Sequence, residues 1–230
     1  MATTINNDFA SELVLNRIMN GQIKSDTGKT VTAAGRVMAS RLDATAFANS
    51  VAAANVSNGL TIAQSAQNAM TELAAKVKKL QDLSATAKTG DEVQAYAAGM
   101  KAEIDALLDT QADGAAVIGG KAGDQDLQTV DLGLGSGTIG VGVQVNKSGT
   151  KFNALYTKLS TGATQANIDG LCSAAIDELY AAIVTVGSQY DTMNNRYQML
   201  NDLNETYHAA SDMQAVTSGG SASSLLSRIL

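Results

Sequence analysis

The sequence predicts a mainly α-helical protein in which long N- and C-terminal helical arms form an antiparallel bundle or coiled coil, with a small β-hairpin insert between them. Two observations predict the arms: heptad-spaced apolar positions recur in both halves, and proline is absent from all 230 residues. A third predicts the insert, because residues 115–165 are rich in glycine and contain short alternating runs.

Four helical stretches are predicted in the N-terminal half. The first covers residues 3–20, and the second covers the Ala-rich segment 30–57. The third runs from Leu60 to Ala87. The fourth follows a break at Thr89-Gly90-Asp91, where Asp91 is the predicted N-cap, and extends to about Leu108. Its apolar positions are Val93, Ala97, Met100, Ile104 and Leu107.

The third stretch and the C-terminal half each carry a seam of positions that alternate by three and four residues. This spacing is typical of a long coiled-coil helix, and the two seams are natural partners for each other. The N-terminal seam consists of Ala63, Ala66, Met70, Leu73, Val77, Leu80, Ser84 and Ala87. The C-terminal seam consists of Ile176, Leu179, Ile183, Val186, Tyr190, Met193, Tyr197, Leu200, Asn204 and Tyr207.

Between the seams, two alternating runs at 127–132 and 139–145 predict a β-hairpin, because glycines that suit turns lie around them. The whole pattern divides the chain into three regions. Residues 33–114 and 166–207 form the predicted helical core domain. Residues 115–165 form the β-hairpin insert, and residues 1–32 and 208–230 form terminal arms.

The charge of the chain excludes some function classes. The formal net charge is −6, which argues against nucleic-acid binding and favours a soluble, self-repelling monomer. No apolar run reaches the ~20 residues that a membrane-spanning helix requires, so we expect no membrane insertion. The first residues lack a basic head followed by an apolar core, so we expect a cytoplasmic protein unless export uses an uncleaved signal.

The sequence offers little that could support catalysis or cofactor binding. Metal and nucleophile sites need residue clusters, whereas the chain has one histidine, His208, and one cysteine, Cys172, which we expect to be a buried small hydrophobe. The GxGxxG match at 135–140 is predicted to hold hairpin glycines, because no helix follows it. Glu103 and Asp105 are predicted to lie on solvated surface. We therefore predict no catalytic residues, no metal, no cofactor and no enzyme activity.

Several segments carry a family motif. Residues 33–41 read AAGRVMASR, residues 55–70 read NVSNGLTIAQSAQNAM, and residues 195–197 and 203–206 read NRY and LNET. These segments resemble the signature regions of the bacterial flagellin family. The matching positions include Ala33, Ala34, Gly35, Met38, Ala39, Ser40, Arg41, Asn55, Asn58, Gly59, Ala63 and Gln64.

The resemblance implies a structural subunit that is exported through a type III apparatus and polymerises into an extracellular helical filament, such as a bacterial flagellum that serves motility. The implied partners are further copies of the chain, an export chaperone, and cap or junction proteins. The arms at 1–32 and 208–230 would then line the inner wall of the filament, and we expect that region to be shorter than is usual in the family. The predicted subunit contacts are Arg41, Asn58, Gln64, Leu73, Leu80, Asn195, Arg196, Leu225, Leu226 and Leu230.

Two alternatives stay open. The chain could be a filament or tip subunit of a non-flagellar type III secretion system, which short terminal arms would favour. It could also be a soluble coiled-coil binding module that recognises a partner through its seam. A module would stay monomeric or dimeric as its concentration rises, whereas a filament subunit would polymerise.

Overall fold

A computed structural model describes residues 33–112, 114–121 and 127–217. It confirms the predicted fold class, because long helices dominate it and the strands form small antiparallel pairs. The helices are α1 (Ala33–Thr86), α2 (Gly90–Leu108), α3 (Lys151–Thr161) and α4 (Gln165–Thr217). The strands are β1 (Gln111–Ala112), β2 (Ala115–Ala116), β3 (Gln128–Asp131) and β4 (Thr138–Val141).

The chain divides into two compact units. The central unit comprises residues 56–131 and 138–194. The described residues of the other, called the end unit, are 33–55, 132–137 and 195–217. The predicted division into terminal arms, helical core domain and insert stays a prediction, and residues 3–20 lie outside the described part of the chain.

In the central unit, α1 and α4 run antiparallel around an apolar core. Gly59 of α1 lies against Met193 of α4, and Gln67 lies against Gly187, so residue numbers fall along one helix as they rise along the other. Burying large apolar side chains is the main favourable term for such a fold. Its largest fully buried side chains are Ile62, Met70, Leu73, Leu80, Ile104, Leu108, Ile118, Phe152, Leu155, Ile168, Leu179 and Met193.

Burial confirms the N-terminal seam, since all its members from Ala63 to Ser84 are buried. The C-terminal seam is buried at every second member: Leu179, Val186, Met193 and Leu200 are covered, and the members between them are partly exposed. Leu179, Val186 and Met193 therefore face the core of the central unit, and Leu200 is buried in the end unit.

The core of the end unit is built from small side chains, among which Ala46, Ala52 and Ala53 are buried. Polar contacts join its helices. Asn204 Nδ2 donates to Ser50 Oγ at 2.9 Å, and Ser211 Oγ donates to the Ala39 carbonyl at 3.4 Å. The two hydrogen bonds show that the segments of α1 and α4 in this unit run antiparallel. Small side chains of this kind allow two helix backbones to approach closely.

Helix α1 is continuous through Asn58-Gly59, where the sequence analysis placed the boundary between two helices. The reason is close packing at Gly59. A Cβ atom at this position would lie 2.7 Å from Met193 Sδ and 2.7 Å from Val130 Cγ2. Gly59 is thus needed for the approach of α4 and β3 to α1, and it does not end the helix.

We expect Gly59→Ala to lower the free energy of unfolding by about 1–3 kcal/mol, because overpacking outweighs the helix propensity that Ala adds. Val130 is β-branched and stiff, so it cannot easily move away. The matched control is Gly99→Ala in α2, where no atom lies within 4 Å of the added Cβ. That change should stabilise the protein by up to about 1 kcal/mol. Chemical denaturation of both variants checks the prediction, and the same sign for both would contradict it.

The start of α2 also differs from the prediction. Thr89, not Asp91, is the N-cap, and its hydroxyl accepts from the Glu92 amide at 3.2 Å. Asp91 lies in the first turn, where its charge favours the helix N-terminus. The predicted apolar face is confirmed at four positions, but Leu108 takes the buried place expected for Leu107.

The predicted hairpin is present, since β3 pairs with β4 in the antiparallel register Gln128↔Val141 to Asp131↔Thr138. The interpretation of the GxGxxG match as hairpin glycines is confirmed, because Gly135 and Gly137 adopt positive φ in the turn and 138–140 lie in β4. A second pair, β1 with β2, joins Gln111 to Ala116.

Helix α3 lies inside the segment that the sequence analysis assigned to a β-hairpin insert. Thr150 caps it by accepting from the Asn153 amide at 3.0 Å. Its buried face consists of Phe152, Leu155 and Leu159, which is a helical spacing of three and four. The glycine-rich composition around this short helix hid its pattern.

Candidate subunit interface

Three of the predicted contact residues are exposed on α1. Arg41 lies in the end unit, and Asn58 and Gln64 lie in the central unit. No Asp, Glu, Lys or Arg occurs from 44 to 71, so the exposed surface of this long stretch is uncharged. These three side chains are accessible to another molecule, as a contact residue must be.

Leu73 and Leu80, also predicted as contact residues, are both 0% exposed within a single chain. They belong to the buried seam and serve the core of the central unit. A direct contact between copies through these two side chains would therefore require that core to open, and their contact role stays a prediction. Leu225, Leu226 and Leu230 lie outside the described residues.

Asn195 and Arg196 behave differently from each other. Asn195 is exposed, whereas Arg196 is half-buried and holds the β3–β4 turn within the end unit. Its Nε donates to the Leu132 carbonyl at 2.6 Å, and its Nη2 donates to the Gly133 carbonyl at 2.6 Å. Gly133 fits there because a Cβ would lie 2.5 Å from Ala52 Cβ. The Arg196 guanidinium thus fixes a turn within its own chain.

An exposed apolar patch that the sequence analysis missed lies on α4 in the central unit. Tyr180 is 58% exposed and Val184 is 73% exposed. Both lie between members of the predicted seam, in the run 179–190 that has no charged residue. The sequence did contain a signal for them: in residues 179–190 the positions between the seam members are uncharged as well as the seam itself.

Helix α4 also bears on membrane insertion, which the sequence analysis did not expect. Within the described residues, its span from Gln165 to Met213 is long and apolar enough to cross a membrane by length and composition alone. Core helices of water-soluble proteins pass the same test. In this chain Leu179, Val186 and Met193 of α4 are buried in the central unit, so part of its apolar character serves the core.

An open depression of about 270 Å3 lies beside the exposed face of α1, lined by Asn58, Thr61, Ile62 and Ala112. It holds no titratable side chain, so its lining supplies neither an acid nor a base.

Few groups in the described part of the chain could support chemistry. Among those residues, no group of three or more His, Cys, Asp or Glu side chains is placed to hold a metal ion. Cys172 is buried as predicted, and burial together with the charge of Asp169 raises the pKa of its thiol to about 12. His208 is exposed at the surface of α4. Because its pKa is about 12, the Cys172 thiol is not a nucleophile at neutral pH.

Asp105 is less solvated than predicted, because it joins a polar cluster between α2 and α3. Tyr156 Oη donates to Asp105 Oδ1 at 2.6 Å, and Lys101 Nζ donates to Asp105 Oδ2 at 2.9 Å. Burial raises the pKa of Asp105, but the hydrogen bonds from Tyr156 and Lys101 outweigh burial and hold the pKa below its usual value. Glu103 forms an ion pair with Lys76, and its pKa is likewise lowered.

The cluster should make stability depend on pH. Because the folded-state pKa of Asp105 lies below its unfolded value, its contribution is present above about pH 4 and is lost as pH falls through the folded pKa. We expect Asp105→Asn to remove this component, so that the variant loses less stability than the parent on acidification from pH 5 to pH 2. Urea denaturation at each pH measures the free energy of unfolding of the variant and of the parent. Parallel pH profiles for the two proteins would contradict the prediction.

Comparison with known proteins finds a partial similarity to a flagellin. No protein-family model matches the chain. A flagellin from Shigella flexneri is 27% identical to it over 183 residues, which cover 70% of this chain and 33% of that flagellin. The chain therefore spans about a third of the length of the flagellin it matches. The resemblance in the sequence motifs thus extends to a partial, low-identity similarity to a flagellin.

Proposed function

We propose that this protein is a structural subunit, secreted and polymerised into a helical extracellular filament of the flagellin type. The similarity to a flagellin over 70% of the chain carries the proposal. Two features of the fold support it: long antiparallel helices suit lateral stacking, and α4 leaves apolar side chains exposed in water. A chain of this kind would have a structural role and would catalyse no reaction.

Polymerisation would be driven by burial of surface between copies. Each Å2 of apolar area removed from water contributes about 25 cal/mol, so an exposed patch on every copy favours assembly over the monomer. The formal net charge of −6 opposes this by repulsion, which salt screens. Arg41, Asn58, Gln64 and Asn195 are the proposed polar contacts, and Leu225, Leu226 and Leu230 are the proposed apolar contacts of the C-terminal arm.

The proposal includes export and partners. An acidic subunit with exposed apolar surface would need to be kept from polymerising before export, which is the role of an export chaperone. Cap or junction proteins would then place the subunits at the ends of the growing filament. The resulting location is extracellular, in a bacterial flagellum or a similar surface filament built by type III export.

Sedimentation of the purified protein tests the proposal. We expect that raising the ammonium sulfate concentration drives the protein into a pelletable form above a critical concentration, because excluded salts strengthen apolar burial. Sonicated fragments should remove any lag. A protein that stays monomeric or dimeric across all conditions would favour the binding-module alternative. Growth only from purified secretion-needle or tip complexes would favour the non-flagellar subunit.

A further inference from the structure

The exposed patch on α4 lies in a stretch of the helix without charge. Tyr180 and Val184 are four residues apart and so share one face, and Ala181 beside them is also exposed. Charges resume only at Glu178 and Asp191, so the run between them is about 18 Å long at 1.5 Å per residue. We call Tyr180, Ala181 and Val184 the α4 patch.

A second uncharged surface lies on α1 in the same unit. Thr61, Gln64, Asn68 and Thr71 are exposed and are spaced by three and four residues, so they form one row along the helix. The Thr61 hydroxyl donates to the Ser57 carbonyl at 3.3 Å, and that of Thr71 donates to the Gln67 carbonyl at 2.8 Å. These hydroxyls therefore keep a hydrogen bond when another molecule covers the surface and displaces its water. We call this set the α1 row.

We propose that the α4 patch of one copy packs on the α1 row of the next copy. This inference rests on the proposed filament function and names the two surfaces that meet. Copies of an acidic chain repel one another, so a contact between them is favoured where neither side carries charge. The patch and the row both meet this condition, each within an uncharged stretch of one of the two longest helices.

The side chains on the two surfaces are complementary in size and chemistry. The α1 row carries short or amide side chains, which leave a low surface on which Tyr180 and Val184 can pack. The amide groups of Gln64 and Asn68 can accept from the Tyr180 hydroxyl, so the one polar atom on the bulky side would be satisfied. Burial of apolar area with a satisfied polar atom is the combination that stabilises an interface core.

Because the two surfaces differ, the contact is heterologous. Each copy uses its α4 patch on one neighbour and offers its α1 row to another, so the assembly grows as an open filament when the rotation between copies does not close a ring. A contact without charges should also respond weakly to simple salt. We expect the critical concentration to fall by no more than about twofold between 0.1 and 0.5 M NaCl, since screening weakens only the repulsion between the surrounding acidic residues.

Charge insertion and rescue test the contact. Val184→Glu should raise the critical concentration about tenfold or more, because it brings an unpaired charge into the interface. It should leave the melting of the monomer unchanged, because Val184 is exposed. Adding Asn68→Lys to the same chain should restore most of the assembly, since each Glu would then meet a Lys of the next copy. The matched control is Ala98→Glu on the exposed surface of α2, which should assemble normally.

Each outcome separates this inference from the function on which it rests. Filaments of Val184→Glu at the critical concentration of the parent would overturn the inference and leave the filament function standing. Failure of the parent itself to polymerise would overturn both. A closed dimer abolished by Val184→Glu would show an isologous contact and contradict the heterologous one. Binding of the parent, but not Val184→Glu, to phosphatidylcholine–phosphatidylglycerol vesicles would assign the patch to lipid instead.

Discussion

Gly142→Ala is expected to be the most damaging small change in the central unit, lowering the free energy of unfolding by about 3 kcal/mol or more. A Cβ at this position would lie 2.3 Å from the Val117 carbonyl oxygen, and that backbone atom cannot rotate away. Overpacking alone costs about 1–3 kcal/mol. Gly142 also has φ of +99°, a conformation that costs an alanine about 1–2 kcal/mol more.

Hydrogen bonds hold Gly142 in this place and prevent relief of the clash. Its amide donates to Gln189 Oε1 at 3.0 Å, and its carbonyl accepts from Gln189 Nε2 at 3.3 Å. The matched control is Gly149→Ala, because Gly149 has φ of +92° but no atom within 4 Å of the added Cβ. The Gly149→Ala variant should lose only about 1–2 kcal/mol of unfolding free energy, which is the cost of an alanine at positive φ. Equal losses in the two variants would show that Val117 does not constrain the position.

Leu73→Ala is expected to destabilise the isolated monomer by about 2–5 kcal/mol, the usual effect of a large-to-small change in a packed core. Leu73 is 0% exposed within one chain, so its methyl groups are covered before any assembly takes place. Thermal unfolding of the protein, at a dilution that keeps it monomeric, should show a fall in Tm of roughly 4–20 °C.

Leu134→Ala is the control for this prediction, since Leu134 is 52% exposed and its truncation removes little packing. We expect that variant to change stability by no more than about 0.5 kcal/mol. If Leu73 instead acted at a subunit contact, Leu73→Ala would leave the monomer as stable as its parent and impair only assembly. That result would support a contact role for Leu73.

Periodicity predicted most of the helical fold because burial follows it closely. The N-terminal seam from Ala63 to Ser84 is covered without exception, and the absence of proline allows α1 and α4 to run on without a break. The hairpin was also predictable. Alternation fixed the strands β3 and β4, and glycines with positive φ form the turn that joins them.

Tertiary contacts explain what the local pattern could not predict. Asn58-Gly59 looks like a helix stop, but the approach of Met193 and Val130 requires a residue without a side chain at that point in a continuous helix. Helix α3 was missed because its single buried face is short and lies in a segment dominated by turn glycines. No local rule distinguishes these situations from an ordinary turn.

The candidate interface was predictable only in part. Exposure of Asn58 and Gln64 agrees with their proposed role, but a seam residue such as Leu73 could not be assigned to core or contact without knowing what covers it. Val184 was overlooked because seam analysis gives weight to positions that are buried. An exposed apolar side chain escapes a search for buried positions, and the uncharged run around Val184 was the sequence signal for it.

Negative-stain electron microscopy of the purified protein in ammonium sulfate tests the filament function most directly. We predict long, unbranched filaments of constant diameter, whose helical repeat is indexed from the images and whose number falls sharply for Val184→Glu. Monodisperse particles at every salt and protein concentration, with or without sonicated seeds, would contradict the proposal that this chain is a self-assembling filament subunit.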